Sequence, residues 1–332
     1  GLNELARSGV KTVADGGLAG LAKYGTAGSV NAQDHVGGLP TRNFTSGVFE
    51  GADDIDGTTM FDTVLRGAAE GDQERQGTDT CFGCAIRCKR VVEIVDGLYP
   101  VDPRYGGPEY ETLAALGSYC GVNDLNAVCK ANELCNKYGM DTISCGGTIA
   151  WAMECYQAGL INSQDTGGIE IRFGDAGVLL QLVELIARSE GIGETLALGS
   201  QQASEIIGHG TDEYLVTAHG QEFPAHMPRV KPSLALIYAV NPFGADHMSS
   251  GHDPSYSPPF LERLSLLGLD DPQPIEALNS EKVRFARITQ YFHSLTDSLN
   301  LCQFVWGPTF SLYGPAETVE LVRYVTGWDV SM

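Results

Sequence analysis

The 332 residues amount to about two domains of ordinary size, and with 43% apolar residues and a mean hydropathy of −0.08 they can fill a core, which argues against wholesale disorder. Lys and Arg number 21 against 42 Asp and Glu, a net charge of −21 that repels phosphate backbones and anionic lipid and so disfavours nucleic-acid binding and membrane-surface adhesion. No apolar run approaches the ~20 residues that span a bilayer, and Gly1 is followed by no basic segment with an apolar stretch, so the chain reads as an internal piece of a longer cytoplasmic protein.

In chain order, Val91–Val95 reads as a strand. Residues 124–138 read as a helix, with Leu125, Val128, Ala131, Leu134, Cys135 and Tyr138 on one face, Asp124 capping the start and Gly139 supplying the left-handed residue after the end. Residues 148–158 form a second helix, opened by Thr148 and closed by Gly159. The clearest helix is 175–190, with Asp175 as its cap, Val178, Leu179, Leu182, Val183 and Ile186 on the buried face and Gly191 as its stop. Leu234–Val240 is a second strand-like run, and a long segment near 280–295 is helical. The expected fold class is therefore mainly α, two helical domains with few short strands. Gly and Pro clusters from Pro224 and from Pro242 place the boundary near 210–225, giving domains 1–215 and 216–332.

Nine cysteines, an odd number, argue against a closed set of disulfides and for a reducing compartment. Cys120, Cys129, Cys135, Cys145 and Cys155 are scattered through apolar, helix-like sequence and are expected as small core residues. Cys81-Phe-Gly-Cys84-Ala-Ile-Arg-Cys88 is different: thiolates at i, i+3 and i+7 can converge on one inorganic centre. A cubane iron–sulfur cluster commonly draws three ligands from one loop and one from far away, and Cys302 is the remote candidate. Arg87, Lys89 and Arg90 would offset the cluster's negative charge and guide an acidic electron carrier. A structural zinc site is the rival, although zinc usually pairs its ligands two and two.

Four further motifs carry polar chemistry. Gly106-Gly-Pro-Glu109-Tyr110-Glu111-Thr sets two carboxylates where a helix should start; the plainer reading is an acidic first turn. Asp141-Thr-Ile-Ser-Cys145-Gly146 and Asp297-Ser-Leu-Asn-Leu-Cys302 are alike in outline, each an aspartate five residues before a cysteine or glycine. Such carboxylates can grip an aminopyrimidine edge, or simply cap a turn. Gly244-Ala-Asp-His247 puts a proton-carrying imidazole in a loop-rich stretch; the other histidines, His226 among them, show no metal-binding spacing and are assigned no role.

These motifs, with Tyr24-Gly-Thr-Ala-Gly-Ser29, Gly38-Leu-Pro-Thr-Arg-Asn-Phe44 and Ala131-Asn-Glu-Leu-Cys135, resemble in the same order those of the tungsten-dependent aldehyde:ferredoxin oxidoreductases. The resemblance implies the family's second domain over about the first 210 residues and the start of its third after them, without its β-rich pterin-binding first domain or about the last hundred residues of its third. It implies a [4Fe-4S] cluster on Cys81, Cys84, Cys88 and Cys302, and a tungsten or molybdenum bis-pyranopterin held at Asp141 and Asp297, with Cys302 beside it. Glu109 or Glu111, together with His247, would be the catalytic groups for RCHO + H2O → RCOO⁻ + 3H⁺ + 2e⁻, with ferredoxin as electron acceptor, a small aldehyde as substrate and a homo-oligomer among the allowed assemblies. Relatives acting on other carbonyls or on aromatic rings, and a non-catalytic electron-transfer or zinc-stabilised module, are the alternatives. Two positions depart from the family's pattern: Asn300 stands where glycine is usual, and Phe243 where arginine is common.

Overall fold

The computed structural model describes residues 1–14, 18–258, 262–307 and 312–331, and among them the chain is mainly α. The first helices are α1 (Leu2–Ala14), α2 (Ala19–Tyr24), α3 (Val30–His35), α4 (Gly57–Thr63) and α5 (Gln73–Gln76). A short antiparallel ladder follows, β1 (Thr78–Asp79) with β2 (Lys89–Arg90), in which Thr78 faces Arg90 and Asp79 faces Lys89. Next come α6 (Tyr110–Leu116), α7 (Leu125–Tyr138), α8 (Thr142–Gln157), α9 (Ala176–Arg188), α10 (Ile192–Leu196) and α11 (Ser200–Ile207). After the hairpin β3 (Thr217–Ala218) and β4 (Gln221–Glu222) lie α12 (Pro232–Val240), α13 (Ser280–Ser298), α14 (Gln303–Trp306) and α15 (Pro315–Thr326).

The chain separates into two compact units: residues 20–227 with 243–245, and residues 1–19 with 228–242 and 246–332. The expected boundary at 215/216 falls inside the first of these. In that larger unit Trp151, Tyr119, Leu113, Leu116, Val128 and Leu182 are almost wholly removed from water and form one continuous core. Helices α6 and α8 cross closely because Gly146 has no side chain: a Cβ there would lie 2.3 Å from the Ala115 carbonyl oxygen. The hairpin is tied down by a buried carboxylate. Glu222 accepts from the Ser200 N–H at 2.8 Å, the Ser200 hydroxyl at 2.7 Å and the Thr148 hydroxyl at 3.1 Å.

In the smaller unit α12 packs on α13, and Tyr256 stacks on Phe285 with ring centroids 4.9 Å apart. A wholly buried ion pair fastens this unit, Lys282 Nζ lying 2.5 Å from Asp253. No helix among the described residues is long and apolar enough to cross a membrane.

Helix α7 has the expected ends: Asp124 accepts from the Asn126 and Ala127 N–H groups, and Gly139 has φ +72°. Elsewhere the expectations need correction. Helix α8 starts at Thr142 rather than Thr148, capped by Asp141, because close packing at Gly146 outweighs the low helix propensity of Gly146-Gly147. Ser189, at φ +53°, ends α9, while Gly191 leads into α10. The run Leu234–Val240 is helical, not a strand: it lies within α12, whose first turn holds Pro232 and whose early N–H groups are met by Asp253. Val91–Val95 forms only isolated bridges, Leu65 to Val92 and Ile94 to Val101. Helix α13 runs three residues further than the expected 295, to Ser298, from an Asn279 cap.

Candidate functional site

The cysteine triplet occupies the loop of the β1–β2 ladder. Gly83 (φ +71°) and Arg87 (φ +58°) both take the left-handed backbone conformation within these eight residues. The Cys84 N–H donates to the Cys81 carbonyl at 3.0 Å, and the Thr80 hydroxyl donates to the Cys84 carbonyl at 2.7 Å. Cys81 is exposed, Cys84 and Cys88 are half-buried, and none of the nine cysteines is in a disulfide. The other five behave as core residues: all are buried, and burial raises the thiols of Cys120, Cys129 and Cys155, the last to about 12. Cys145 is raised by its hydrogen bond with Cys135 and then by burial. Only the triplet and Cys302 are not buried.

Arg90 anchors this loop from behind. It is 2% exposed, and its guanidinium donates to the carbonyls of Lys23, of Ala22 at 2.8 Å and of Arg87 at 2.6 Å. Gly25, at φ +62°, lets the chain approach so closely that a Cβ would lie 2.8 Å from the Cys88 carbonyl oxygen. The next residue, Thr26, donates its hydroxyl to the Glu109 carboxylate and accepts the Tyr110 N–H at 2.9 Å. Burial raises the Glu109 pKa, against the lowering effects of the Thr26 hydrogen bond and the Arg90 charge.

The two residues after Glu109 point the opposite way. Tyr110, buried and with a strongly raised hydroxyl pKa through loss of solvation, donates to the Ala225 carbonyl. Glu111 accepts the Ala225 N–H at 2.6 Å through Oε2, and its Oε1 lies 3.2 Å from His226 Nε2. The His226 ring stacks on Tyr110 with centroids 5.5 Å apart. The first turn of α6 thus carries a carboxylate–imidazole pair of which the imidazole is 7% exposed. His226 and Thr26 were not assigned roles from sequence. The signal for His226 was its place in Pro224-Ala-His-Met-Pro228, a histidine held between two prolines.

Asp141 caps α8 by accepting the Ser144 N–H at 2.8 Å through Oδ2, and it lines a cleft of about 350 Å³ with Met140, Ser144, Cys145 and Thr148. The remaining candidates belong to the smaller unit. Asp297 is exposed in the last turn of α13, and Cys302, exposed, immediately precedes α14. Asn300 between them has φ +55°, the left-handed conformation that explains why glycine is usual there and why asparagine can replace it. His247 is half-buried; its carbonyl accepts from His252 Nε2 at 2.7 Å, and the Met248 N–H donates to Asp246 at 2.8 Å. Phe243, which belongs to the larger unit, is 80% exposed.

Residues 4–332 match the sequence profile described as aldehyde ferredoxin oxidoreductase, domains 2 and 3. The chain is 36% identical over 315 residues to the tungsten-containing aldehyde ferredoxin oxidoreductase of Pyrococcus abyssi, covering 94% of this chain and 47% of that protein. It is 34% identical over 311 residues to the protein of the same name from Pyrococcus furiosus, covering 93% and 46%. The chain therefore spans about half the length of these relatives. Over 180 residues, 52% of this chain and 28% of the relative, it is 31% identical to the Pyrococcus furiosus aliphatic sulfonate oxidoreductase, WOR-like subunit. The fold is shared with the active-site complex BamBC of benzoyl coenzyme A reductase, solved with 1,5-dienoyl-CoA, at a TM-score of 0.67 and 15% identity over 92% of this chain and 48% of that one. The helical architecture, the motif order and these matches place the chain in the aldehyde ferredoxin oxidoreductase family, in the part that forms its second and third domains.

Proposed function

We propose that the protein oxidises aldehydes to carboxylates at a tungsten or molybdenum bis-pyranopterin centre and passes the electrons through a [4Fe-4S] cluster to ferredoxin. The observation that carries this reading is the cysteine loop: three thiols outside any disulfide on a tightly turned segment, one exposed and two half-buried, while the other five cysteines of the same unit are buried. The relatives' tungsten-containing names support the metal. When bound, the metal centre supplies the two-electron oxidation and the cluster a one-electron path outward. Cys81, Cys84 and Cys88, with Cys302, would hold the cluster. Asp141 keeps one carboxylate oxygen beyond its cap contact on the cleft, suited to accept N–H groups of a pterin edge, and Asp297 would serve the second pterin.

Proton handling falls to the first turn of α6. Glu111 and His226 share a contact of 3.2 Å away from bulk water, so a proton taken by the carboxylate can pass to the imidazole. The Ala225 N–H holds the other Glu111 oxygen and fixes the carboxylate's direction. Glu109, with its raised pKa, is the second carboxyl of the turn, and His247 is assigned the orientation of the substrate carbonyl. In the metal-loaded enzyme, Glu111→Gln is expected to cut turnover by roughly 100-fold or more with iron content and cluster absorbance intact. Full turnover in Glu111→Gln, with loss in Glu109→Gln, would move the role to Glu109. A second reading keeps the site and changes the substrate, favoured by the match to the aliphatic sulfonate oxidoreductase subunit. Turnover of alkyl sulfonates but not aldehydes by the loaded enzyme would select it.

A further inference from the structure

Arg90 brings a full positive charge into the interior, yet its polar contacts are three neutral carbonyl oxygens, those of Ala22, Lys23 and Arg87. Its Nε is buried without a hydrogen-bond partner. Among the described residues no carboxylate forms an ion pair with it; the charges of Glu109 and Cys88 act on it from further off. A charge withdrawn from water is costly unless an opposite charge meets it, and carbonyl dipoles alone are weak compensation. The two other cations of the segment, Arg87 and Lys89, are exposed and screened by solvent.

The position of Arg90 indicates which negative charge would meet it more closely than Glu109 does. Arg90 follows Cys88 by two residues, holds the Arg87 carbonyl just before that cysteine, and lies against Gly25, whose Cβ would fall 3.2 Å from Arg90 Nε. The backbone of the third cysteine is pinned between Gly25 and Arg90. We propose that Arg90 is the buried counter-charge of a thiolate-ligated iron–sulfur cluster on the Cys81–Cys88 loop and sets that cluster's reduction potential. This rests on the cluster assignment made above. Reduction adds one electron and makes the cluster more negative, with no bond made or broken, so a fixed positive charge nearby favours the reduced form and its removal lowers the potential.

The test is a redox titration of the iron-loaded protein followed by the electron paramagnetic resonance of the reduced cluster. In Arg90→Met the one-electron reduction constant should fall at least tenfold, about 59 mV. Arg90→Gln, which keeps an amide donor for the carbonyls but no charge, should fall as far, and Arg90→Lys should stay within threefold of wild type. Lys89→Met, one residue nearer to Cys88 in sequence but exposed, should also stay within threefold. An unmoved potential in either neutral Arg90 variant, with iron content unchanged, overturns the proposal and leaves the cluster in place. Should Arg90→Met not fold, the Gln and Lys variants decide: equal potentials in the two refute it. A wild-type protein that binds no iron, or whose iron survives conversion of Cys81, Cys84 and Cys88 to serine, removes the cluster assignment itself.

Discussion

Replacing Lys282 by methionine tests how the smaller unit is held together. Lys282 and Asp253 are both 0% exposed and 2.5 Å apart, so neither charge can turn to water when the other is lost. In Lys282→Met the apolar stem survives and the Asp253 carboxylate keeps, among the described residues, the Ser233 and Leu234 N–H groups, at 3.1 and 3.4 Å, in the first turn of α12. Removing one member of a buried pair costs about 3–5 kcal/mol, and the α12 dipole, which acts on Asp253 before and after the change, offsets none of it. A loss of about 3–5 kcal/mol corresponds to a melting temperature lower by roughly 10–20 °C for a unit of this size. Calorimetry and urea unfolding followed by circular dichroism would read it. The double variant Lys282→Met with Asp253→Leu should return to within about 2 kcal/mol of wild type, since apolar residues can replace both charges. A single variant that loses less than about 1 kcal/mol, or a double variant no better than the single, would refute the reasoning.

Two other expectations follow from the packing and the titrating groups. Gly146→Ala drives a methyl to within 2.3 Å of the Ala115 carbonyl oxygen and 2.8 Å of its Cβ, so α6 and α8 must part; the overpacking cost of about 1–3 kcal/mol should outweigh the ~1 kcal/mol of helix propensity gained, and a variant more stable in urea would contradict it. His293 is held below the ordinary imidazole pKa by burial, while its hydrogen bond to the Met248 carbonyl and the charges of Asp297 and Asp246 act the other way. Its contribution to stability is complete above about pH 6.5 and is lost as the pH falls, because the unfolded chain binds the proton more tightly, with a slope of up to about 1.4 kcal/mol per pH unit. His293→Gln should flatten unfolding free energy between about pH 7 and pH 5, and an unchanged slope would rule the residue out as its source.

What sequence revealed depended on how local the determining force was. Helix α7 was legible because Asp124 and Gly139 act within a turn of its ends. The start of α8 was hidden because Gly146-Gly147 looks like a break, and only the approach of α6 shows why glycine sits inside a helix. The α12 segment reads equally well as strand or helix, since a short unbroken apolar run has no telling period, and its N-terminal partner, Asp253, is distant in sequence. The cysteine triplet and the carboxylates of α6 were visible from spacing and residue type. His226 was not, because its significance comes from Glu111, far away along the chain. Arg90 was legible as a cation but not as a buried one, as burial of a guanidinium depends on the carbonyls of α2.

The Thr26 hydroxyl has one hydrogen to give and already spends a lone pair on the Tyr110 amide. With Glu109 ionised, that hydrogen goes to the carboxylate. With Glu109 protonated on the oxygen that faces Thr26, the carboxyl becomes the giver and the threonine rotor swings its hydrogen elsewhere while the oxygen stays where it is. Loading or unloading a proton at this position therefore turns a single O–H bond and leaves the mouth of α6 undisturbed. Valine in place of Thr26, nearly identical in shape, would strip away both that tolerance and the resting place of the Tyr110 amide.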